Sequence, residues 1–296
     1  MKSSITFLRL FLLVAFSFAQ RDFSEVKVEA TQVKNNVYML TGSGGNIGVV
    51  TGKDGVVMID NQFAPLADKI KEAIKGIGGD DVTYMINTHF HGDHTGGNAV
   101  FGGDGAMVVA HDNVRKRLST EQKRANGDVV APQPQEAWPI VTFEQQVKFY
   151  LNDEEIELIH ADRAHTDGDV VVFFRKANVI HTGDVFVTYG YPFIDASSGA
   201  SITGMINFLD QVIEAIDEET IVIPGHGPLS RKKDVIAFRD RLQDILDKVL
   251  VQKRKGKTIE EIIEMKITQE YDEEWGGGFI KAKDFLLLLD ESLSEK

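Results

Sequence analysis

Four side chains that can bind metal ions lie within six residues, directly after an apolar run that ends at Ile86. They are His89, His91, Asp93 and His94. Side chains two residues apart in an extended backbone point the same way, and Gly92 permits a sharp turn before the last two. Imidazole nitrogens and carboxylate oxygens suit a borderline divalent cation when no thiolate is available. Because four donors this close in the chain converge poorly on one ion, their spacing predicts two adjacent metal sites.

Three further candidate ligands each stand in a polar turn or at the end of an apolar run. They are His165 in Ala-His-Thr-Asp-Gly-Asp, Asp184 in Thr-Gly-Asp, and His226 in Pro-Gly-His. Taken alone, each would more often be a structural polar residue than a ligand. Their order and local contexts matter only in combination with the first group.

The combination of His-x-His-x-Asp-His, a histidine in a polar turn, Thr-Gly-Asp and Pro-Gly-His resembles the metallo-β-lactamase superfamily over residues 37–230. This resemblance implies an α/β fold of the α+β kind, a four-layer αββα sandwich with metals at one edge. It also implies a ligand assignment. The first metal would be held by His89, His91 and His165, and the second by Asp93, His94 and His226, with Asp184 bridging. A bridging Asp at this position resembles the bridging ligand of the glyoxalase-II and lactonase branches of the superfamily. The cofactors expected are two Zn²⁺ ions, with iron or manganese as alternatives.

The expected chemistry follows from two metal ions that share one water molecule. Two divalent ions that share a water lower its pKa to about 7, and the resulting hydroxide would attack a carbonyl carbon. Asp93 is the predicted catalytic residue, which would orient the nucleophile or carry its proton. Asp60, at the end of the apolar run 55–59, is predicted to hold a ligand imidazole from outside; a cap on the strand end is the alternative.

Substrate contacts are predicted from aromatic residues in the segments around the motifs. The candidates are Phe63, Trp138, Tyr189 and Tyr191, with ordinary packing as the alternative for each. Residues 184–230 contain no lysine or arginine that could bind a substrate carboxylate. Only Ser197, Ser198, Ser201 and the two tyrosines could take that role. His111, His160 and His181 match no motif and are expected in the core or on the surface, with His181 also a candidate for supporting a ligand.

The ligands require elements that bring distant turns together. Apolar runs bounded by turn residues predict strands at 26–28, 37–40, 46–51, 55–59, 82–86, 107–110, 146–151, 156–159, 170–174, 179–181 and 221–223. Helical spacing predicts helices at 66–77, 201–215 and 234–251, and Thr258 has the capping-box spacing of a further helix start. Residues 122–139 lack periodicity and are predicted to form a loop.

The chain is predicted to divide into three parts. Residues 1–19 are a signal peptide, 20–230 a metallo-β-lactamase-fold domain, and 231–296 a C-terminal helical extension that packs on it or makes a dimer contact. The apolar run 5–18 follows Met1-Lys2 and ends in a small-x-small cleavage pattern. An uncleaved anchor is the alternative, although the run is shorter than the ~20 residues a spanning helix needs. The protein is therefore expected to be exported, periplasmic or secreted, with no stable membrane anchor.

The charged-residue and cysteine content of the chain limits the classes of partner and site that are expected. Of the 296 residues, 32 are Lys or Arg and 45 are Asp or Glu, a net charge of −13, which disfavours a nucleic-acid partner. The chain has no cysteine, which excludes disulfides, thiolate metal sites and cysteine nucleophiles. The expected partner is a small-molecule substrate, and a homodimer is a candidate assembly.

Together these features predict a dinuclear zinc hydrolase that uses metal-bound hydroxide on a small cyclic amide or ester, with β-lactams as the leading substrate. A lactonase or a glyoxalase-II-like thioesterase is the alternative. A mononuclear iron dioxygenase acting on sulfur compounds is a further alternative. A metal-storage or binding protein would need a site without an open water position, and nothing in the sequence indicates one.

Overall fold

The computed structural model describes residues 22–123 and 129–294, so the predicted signal peptide lies outside the described residues. The strands, in chain order, are β1 (Glu29–Lys34), β2 (Val37–Thr41), β3 (Ile47–Val50), β4 (Val56–Ile59), β5 (Val82–Ile86), β6 (Met107–His111), β7 (Gln122–Lys123), β8 (Val129–Val130), β9 (Val141–Phe143), β10 (Gln146–Leu151), β11 (Glu154–Ala161), β12 (Asp169–Phe174), β13 (Val179–His181), β14 (Ile221–Ile223) and β15 (Ser230–Arg231).

The helices lie between and after these strands. They are α1 (Ala67–Gly76), α2 (Gly92–Thr95), α3 (Asn98–Gly103), α4 (Asp112–Ser119), α5 (Ile202–Ala215), α6 (Lys232–Arg254), α7 (Ile259–Glu264), α8 (Asp272–Trp275) and α9 (Ala282–Ser294). Within the part of the chain that the structure describes, no helix is both long and apolar enough to cross a bilayer.

Two large sheets bring the strand ends to one edge. The first has the order β1-β2-β3-β4-β5-β6-β9, antiparallel up to β4 and parallel from β4 onward. The second has the order β10-β11-β12-β13-β14-β15, with β13 and β14 parallel. Parallel neighbours end at the same edge of a sheet, so the turns after β4 and β5 are neighbours, and so are those after β13 and β14.

The two sheets pack face to face, and helices cover both outer faces. Alternation along β4 illustrates this, because Val57 and Ile59 lie in the core between the sheets while Val56 and Met58 lie beneath α1. Helices α5, α6, α7 and α9 cover the second sheet in one continuous apolar cluster. These four layers confirm the predicted αββα sandwich with a C-terminal helical region. The domain boundaries themselves stay predictions.

Most predicted elements are present, and three differences have physical causes. The predicted strand at 26–28 is wrong. The Nζ of Lys69 donates to the carbonyls of Phe23, Ser24 and Val26, and the first strand begins at Glu29. The predicted loop at 122–139 contains the two-residue strands β7 and β8. Helices α2 to α4 were missed because each is eight residues or shorter and lacks a full apolar repeat.

The C-terminal helices are predicted to contribute strongly to stability through Phe285. This side chain is fully buried and its ring stacks on Tyr191 at 5.1 Å. Phe285→Ala should lower the free energy of unfolding by about 3–5 kcal/mol because it leaves a cavity in the core. Urea titration of the full chain measures this.

Leu287→Ala is the matched control on the same helix, since Leu287 is 38% exposed. It should change the free energy of unfolding by less than about 1 kcal/mol. Equal losses in both variants would contradict the packing of α9 on the second sheet.

Candidate metal centre

The first group of candidate ligands follows β5 in a tight turn. His91 is the fifth residue after β5, and its carbonyl accepts hydrogen bonds from the N–H groups of His94 and Thr95. This turn begins α2, which carries Asp93 and His94. The extended residues before it carry His89 and His91. The motif therefore spreads its four ligands over a strand end and one helical turn, as two pairs with different directions.

The other three candidates reach the same edge from the second sheet. His165 lies in the turn between β11 and β12, Asp184 in a single 3-10 turn after β13, and His226 just after β14. Backbone hydrogen bonds join the sheets beside them: the Val170 N–H donates to the Thr88 carbonyl at 2.7 Å, and the Asn46 N–H to the Gly225 carbonyl at 2.7 Å.

All seven predicted ligands come together at this edge. Three groups each place their ligand atoms within 4.8 Å of one another: His89, His91 and His165; His89, His94 and Asp184; and Asp93, His94 and His226. Asp184 lies between the outer groups, with Oδ2 at 3.7 Å from the Nε2 of His165 and 3.5 Å from that of His226. This grouping matches the division into two triads and a shared carboxylate that the sequence resemblance implies.

Hydrogen bonds on the far side of three imidazoles fix which nitrogen faces the centre. The Nε2–H of His91 donates to Asp195 at 3.1 Å, and the Nδ1–H of His165 donates to the carbonyl of Phe193 at 2.8 Å. The Nδ1–H of His94 donates to Asp60 at 2.7 Å. Since each partner only accepts, the opposite ring nitrogen carries a lone pair that points into the cluster.

These lone pairs indicate a cation. The Nδ1 of His91 and the Nε2 of His165 lie 2.9 Å apart, and when both imidazoles are neutral with their outer nitrogens protonated, two lone pairs face each other, which is unfavourable unless positive charge lies beside them. Within the described residues, the buried His89 Nε2 and Asp184 Oδ1 have no hydrogen-bond partner. An unpaired buried polar atom costs about 1–3 kcal/mol. Several such atoms facing one point fit a metal bound by nitrogen and oxygen.

The charges around the cluster also favour a bound cation. Burial opposes protonation of His94, but the carboxylates of Asp184, Asp60 and Asp93 outweigh it and raise the pKa of His94 well above its usual value. Burial likewise opposes protonation of His226, but the charge of Asp184 and the hydrogen bonds to Asp184 and Asp93 together raise the pKa of His226 to about 9. Burial lowers the pKa of His165 to about 4, and burial with three neighbouring imidazoles lowers that of His89. The carboxylates thus favour positive charge here, which protons or a metal can supply.

Asp60 has the position that the sequence predicted for a partner of a ligand imidazole. Besides His94 Nδ1–H, its carboxylate accepts hydrogen bonds from the backbone N–H of Thr88 at 2.8 Å and from its hydroxyl at 2.7 Å. The same hydroxyl lies 3.0 Å from Nδ1 of His89. Asp60 is fully buried and adopts φ of 61°. One carboxylate therefore orients two of the ligand imidazoles, directly and through Thr88.

Two carboxylates that support ligands were missed from the sequence. Asp195 accepts from His91 and from the hydroxyl of Ser197, and lies in no motif. Asp169 accepts from the backbone N–H groups of His165 and Thr166 and so holds the ligand turn. Its position four residues after His165 in a polar turn could have indicated this role. Asp195 has no comparable local signal.

An open cavity of about 560 Å³ lies over the cluster. It is lined by Ser43, Gly44, Phe63, His91, Asp93, His165, Asp184, Tyr189, Phe193, His226 and Phe279. Two of the predicted substrate residues, Phe63 and Tyr189, are therefore at the cavity. Phe193 and Phe279 were not predicted.

Two other predicted substrate residues are elsewhere, which corrects the sequence interpretation. Tyr191 is fully buried, and its hydroxyl donates to Asp272 at 2.7 Å, so it packs the C-terminal helices. Trp138 packs beside α4 and its indole N–H donates to the Gln133 carbonyl at 2.9 Å. Both side chains are used in packing, the alternative that the sequence left open.

The remaining histidines are likewise outside the cluster. His111 and His160 stack on each other, with ring centroids 3.7 Å apart, at the start of α4. His181 is buried, and its Nε2–H donates to the Asn46 carbonyl at 3.0 Å. His181 therefore supports the connection between the sheets and contacts none of the ligand side chains by a hydrogen bond that the structure shows.

Removing the charge of Asp195 should weaken the first triad. Asp195→Asn removes an anion. In the unmodified protein this anion orients the His91 imidazole and makes that imidazole more basic. We expect zinc affinity to fall roughly 10- to 100-fold, measured by titration against a chromophoric chelator.

Asp240→Asn is the control, because Asp240 is 60% exposed and lies on α6 far along the chain from the ligands. Its zinc affinity should equal that of the unmodified protein. An Asp195→Asn variant that bound zinc as tightly as this control would show that the carboxylate has no part in holding the ligand.

Comparison with known proteins agrees with this geometry. The sequence pattern of the metallo-beta-lactamase superfamily matches residues 40–232. A probable metallo-hydrolase from Methanocaldococcus jannaschii is 25% identical over 209 residues, which cover 67% of this chain and 93% of that protein. A hydroxyacylglutathione hydrolase from a Polaromonas species is 26% identical over 200 residues, covering 62% of this chain and 66% of that enzyme.

Solved structures share the fold. A metallo-beta-lactamase from Pontibacter korlensis superposes with a TM-score of 0.61 at 19% identity, covering 74% of this chain and 100% of that one. A double mutant of the sec-alkyl sulfatase PisA1 superposes with a TM-score of 0.68 at 14% identity, covering 90% of this chain and 50% of that one. Because the family pattern spans more than half of the sequence and includes every candidate ligand, the chain belongs to the metallo-β-lactamase superfamily.

Proposed function

We propose that this metal-dependent hydrolase uses two zinc ions to cleave the amide or ester bond of a small cyclic substrate. The observation that carries the proposal is the arrangement of seven ligand side chains as two triads on either side of Asp184, at the floor of an open cavity. β-Lactams are the first substrate class to test, and lactones and thioesters are the next.

The second triad supports two ions over one. A single ion held by His89, His91 and His165 would leave Asp93, His94 and His226 converging within 4.8 Å without a cation between them. The carboxylates of Asp184, Asp60 and Asp93 around His94 favour positive charge at this second position as well. A mononuclear iron enzyme would not need this second triad, so the arrangement favours the dinuclear alternative.

Bound zinc would polarise a substrate carbonyl and lower the pKa of a coordinated water to about 7. The protein supplies the orientation. Asp93 is the one partly exposed carboxylate of the ligand set, 34% exposed at its side chain. Burial would raise its pKa, but His94 and His226 lower it far below the usual value. The carboxylate therefore stays ionised and can accept a hydrogen bond from a nucleophilic water, which orients that water.

We expect the hydroxyl of Tyr189, which lines the cavity, to bind the reacting group of the substrate. Its ring lies 5.5 Å from that of His226 at the cavity. Burial and the charge of Asp184 raise the pKa of Tyr189 above its usual value, so the hydroxyl stays protonated. A protonated hydroxyl can donate a hydrogen bond to an oxygen that gains negative charge during the reaction.

The proposed function also includes export of the protein and the absence of a stable membrane anchor. The apolar run and cleavage pattern in residues 1–19 support a secreted or periplasmic enzyme. The net charge of −13 supports a small-molecule substrate over a nucleic acid. A homodimer and the absence of a stable membrane anchor remain proposals that sizing and fractionation of the mature protein can test.

Metal analysis and turnover of the purified mature protein test the proposal together. We expect two zinc ions per chain, as the two triads indicate, and turnover of a β-lactam, lactone or thioester that a chelator abolishes and added zinc restores. Elemental analysis and a three-class substrate panel supply the measurement. One iron per chain with oxygen consumption would contradict the proposal in favour of the dioxygenase alternative.

Removing the shared carboxylate should affect both triads. Asp184→Ala should lower metal content and turnover together, because the alanine removes the negative charge between the two groups. His111→Ala is the control: His111 accepts from the Asn113 N–H, contacts the Glu144 carbonyl and stacks on His160, all outside the ligand cluster, so the variant loses some stability but should keep its metal. Metal content measured after gel filtration should fall in the first variant alone; a parallel fall in both would refute the assignment of Asp184.

A further inference from the structure

Phe279 projects into solvent at the edge of the metal cavity. It is 82% exposed, the highest value among the exposed large hydrophobic side chains of the described residues, and it lines the cavity. Phe279 shares this cavity with Phe63 and Phe193, and aromatic side chains are the usual lining of small-molecule sites. The fold itself gains little from a ring with so few packing partners.

The loop that carries Phe279 is held firmly against the cavity wall. Ile280 pairs with Tyr191 in an isolated antiparallel bridge. A Cβ atom at Gly278 would lie 2.1 Å from the carbonyl oxygen of Tyr189, so the two segments touch through the backbone. The Nζ of Lys281 donates to the carbonyls of residues 276 and 278 at 3.1 and 3.0 Å. The exposed ring is therefore presented by an anchored loop, and its position is set before any ligand binds.

Aromatic rings also form the other walls. Phe193 lies 5.8 Å from the His91 ring and 6.0 Å from the His165 ring, between centroids. Phe63 packs against Phe23 at 5.2 Å, which fixes the opposite wall. The cavity thus combines apolar walls with a polar floor of ligand side chains.

Cationic partners for an anionic substrate are missing from these walls. Among the described residues that line the cavity, none is a lysine or an arginine. Lys281, next to the rim, already donates to two carbonyls. Arg117 lines a neighbouring recess but is held by two hydrogen bonds to Asp167.

The serines that the sequence offered as substitutes are also engaged. The hydroxyls of Ser197 and Ser198 donate to Asp195, and that of Ser201 accepts from the Gly204 N–H in the first turn of α5. A carboxylate that entered the cavity beyond reach of the metal centre would lose hydration without gaining a cationic side chain as partner, which is unfavourable.

We propose that Phe279, with Phe63 and Phe193, forms a subsite for an uncharged alkyl or aryl substituent of the substrate. This inference rests on the proposed hydrolase function and deepens it. Within that function, neutral lactones and esters with an apolar substituent rank ahead of β-lactams, which carry a carboxylate.

Kinetics on three lactones test the subsite in the full-length mature enzyme. The substrates are γ-butyrolactone, γ-nonalactone with its pentyl group, and γ-butyrolactone bearing a γ-carboxylate. The unmodified enzyme should prefer the pentyl lactone. Phe279→Ala should lower kcat/KM for it about tenfold, mainly through KM, and change γ-butyrolactone less than about twofold. Phe279→Leu should retain most activity, and Phe279→Lys should raise turnover of the carboxylate lactone.

Tyr150→Ala is the matched control, since Tyr150 is 70% exposed on β10 and does not line the cavity. It should leave all three lactones unchanged. Equal effects of Phe279→Ala on the pentyl and unsubstituted lactones, or none on either, would overturn the subsite.

Binding of the neutral fluorophore N-phenyl-1-naphthylamine separates this proposal from the hydrolase proposal, because it requires no turnover. Fluorescence titration should give a dissociation constant about tenfold weaker for Phe279→Ala and unchanged for Tyr150→Ala. If Phe279 controls this binding while no lactone, ester or β-lactam is hydrolysed, the subsite stands and the proposed function fails. If binding is independent of Phe279, the subsite is wrong whatever the enzyme hydrolyses.

Discussion

The structure depends on holding the lone pairs of several ligand side chains close together at the floor of the cavity. The Nδ1 of His91 and the Nε2 of His165 lie 2.9 Å apart, and His89 Nε2 is buried without a hydrogen-bond partner among the described residues. Such contacts are unfavourable unless a cation joins them. Every outer partner around the cluster, from Asp60 to Asp195, keeps the imidazoles from turning away. The sandwich provides these partners because parallel strands of both sheets end at the same edge.

The C-terminal helices are connected to this site through one segment, residues 189–195. Tyr191 is buried against Trp275 and Phe285, whose rings lie 5.3 and 5.1 Å away. Four residues later Asp195 holds His91, and the carbonyl of Phe193 holds His165. Packing in the helical layer therefore sets the position of two ligands that the helices never touch. The extension is part of the support of the metal centre as well as a cover for the second sheet.

Residues whose roles are local were predictable from the sequence. The ligands His89 to His94 follow an apolar strand whose end is visible in the chain, and Asp60 ends the neighbouring parallel strand, so its contact with His94 follows from the sheet order. Asp195 and Phe279 were not predictable, because each meets the site only through the packing of distant segments. The wrong strand at 26–28 has a similar origin: the carbonyl of Val26, together with those of Phe23 and Ser24 just before it, is bound by Lys69, more than forty residues away.

The ligands extend from residue 89 to residue 226 and come from both sheets. A chain that has folded only its first sheet holds four of them, yet neither triad is complete, since His165 and His226 both belong to the second sheet. Contacts of such sequence separation form late and slowly. Because a ligand that binds only the completed fold shifts the folding equilibrium toward it, metal uptake would act as the step that locks the two sheets together. The metal supply of the compartment would then help to decide how much of the newly made protein persists.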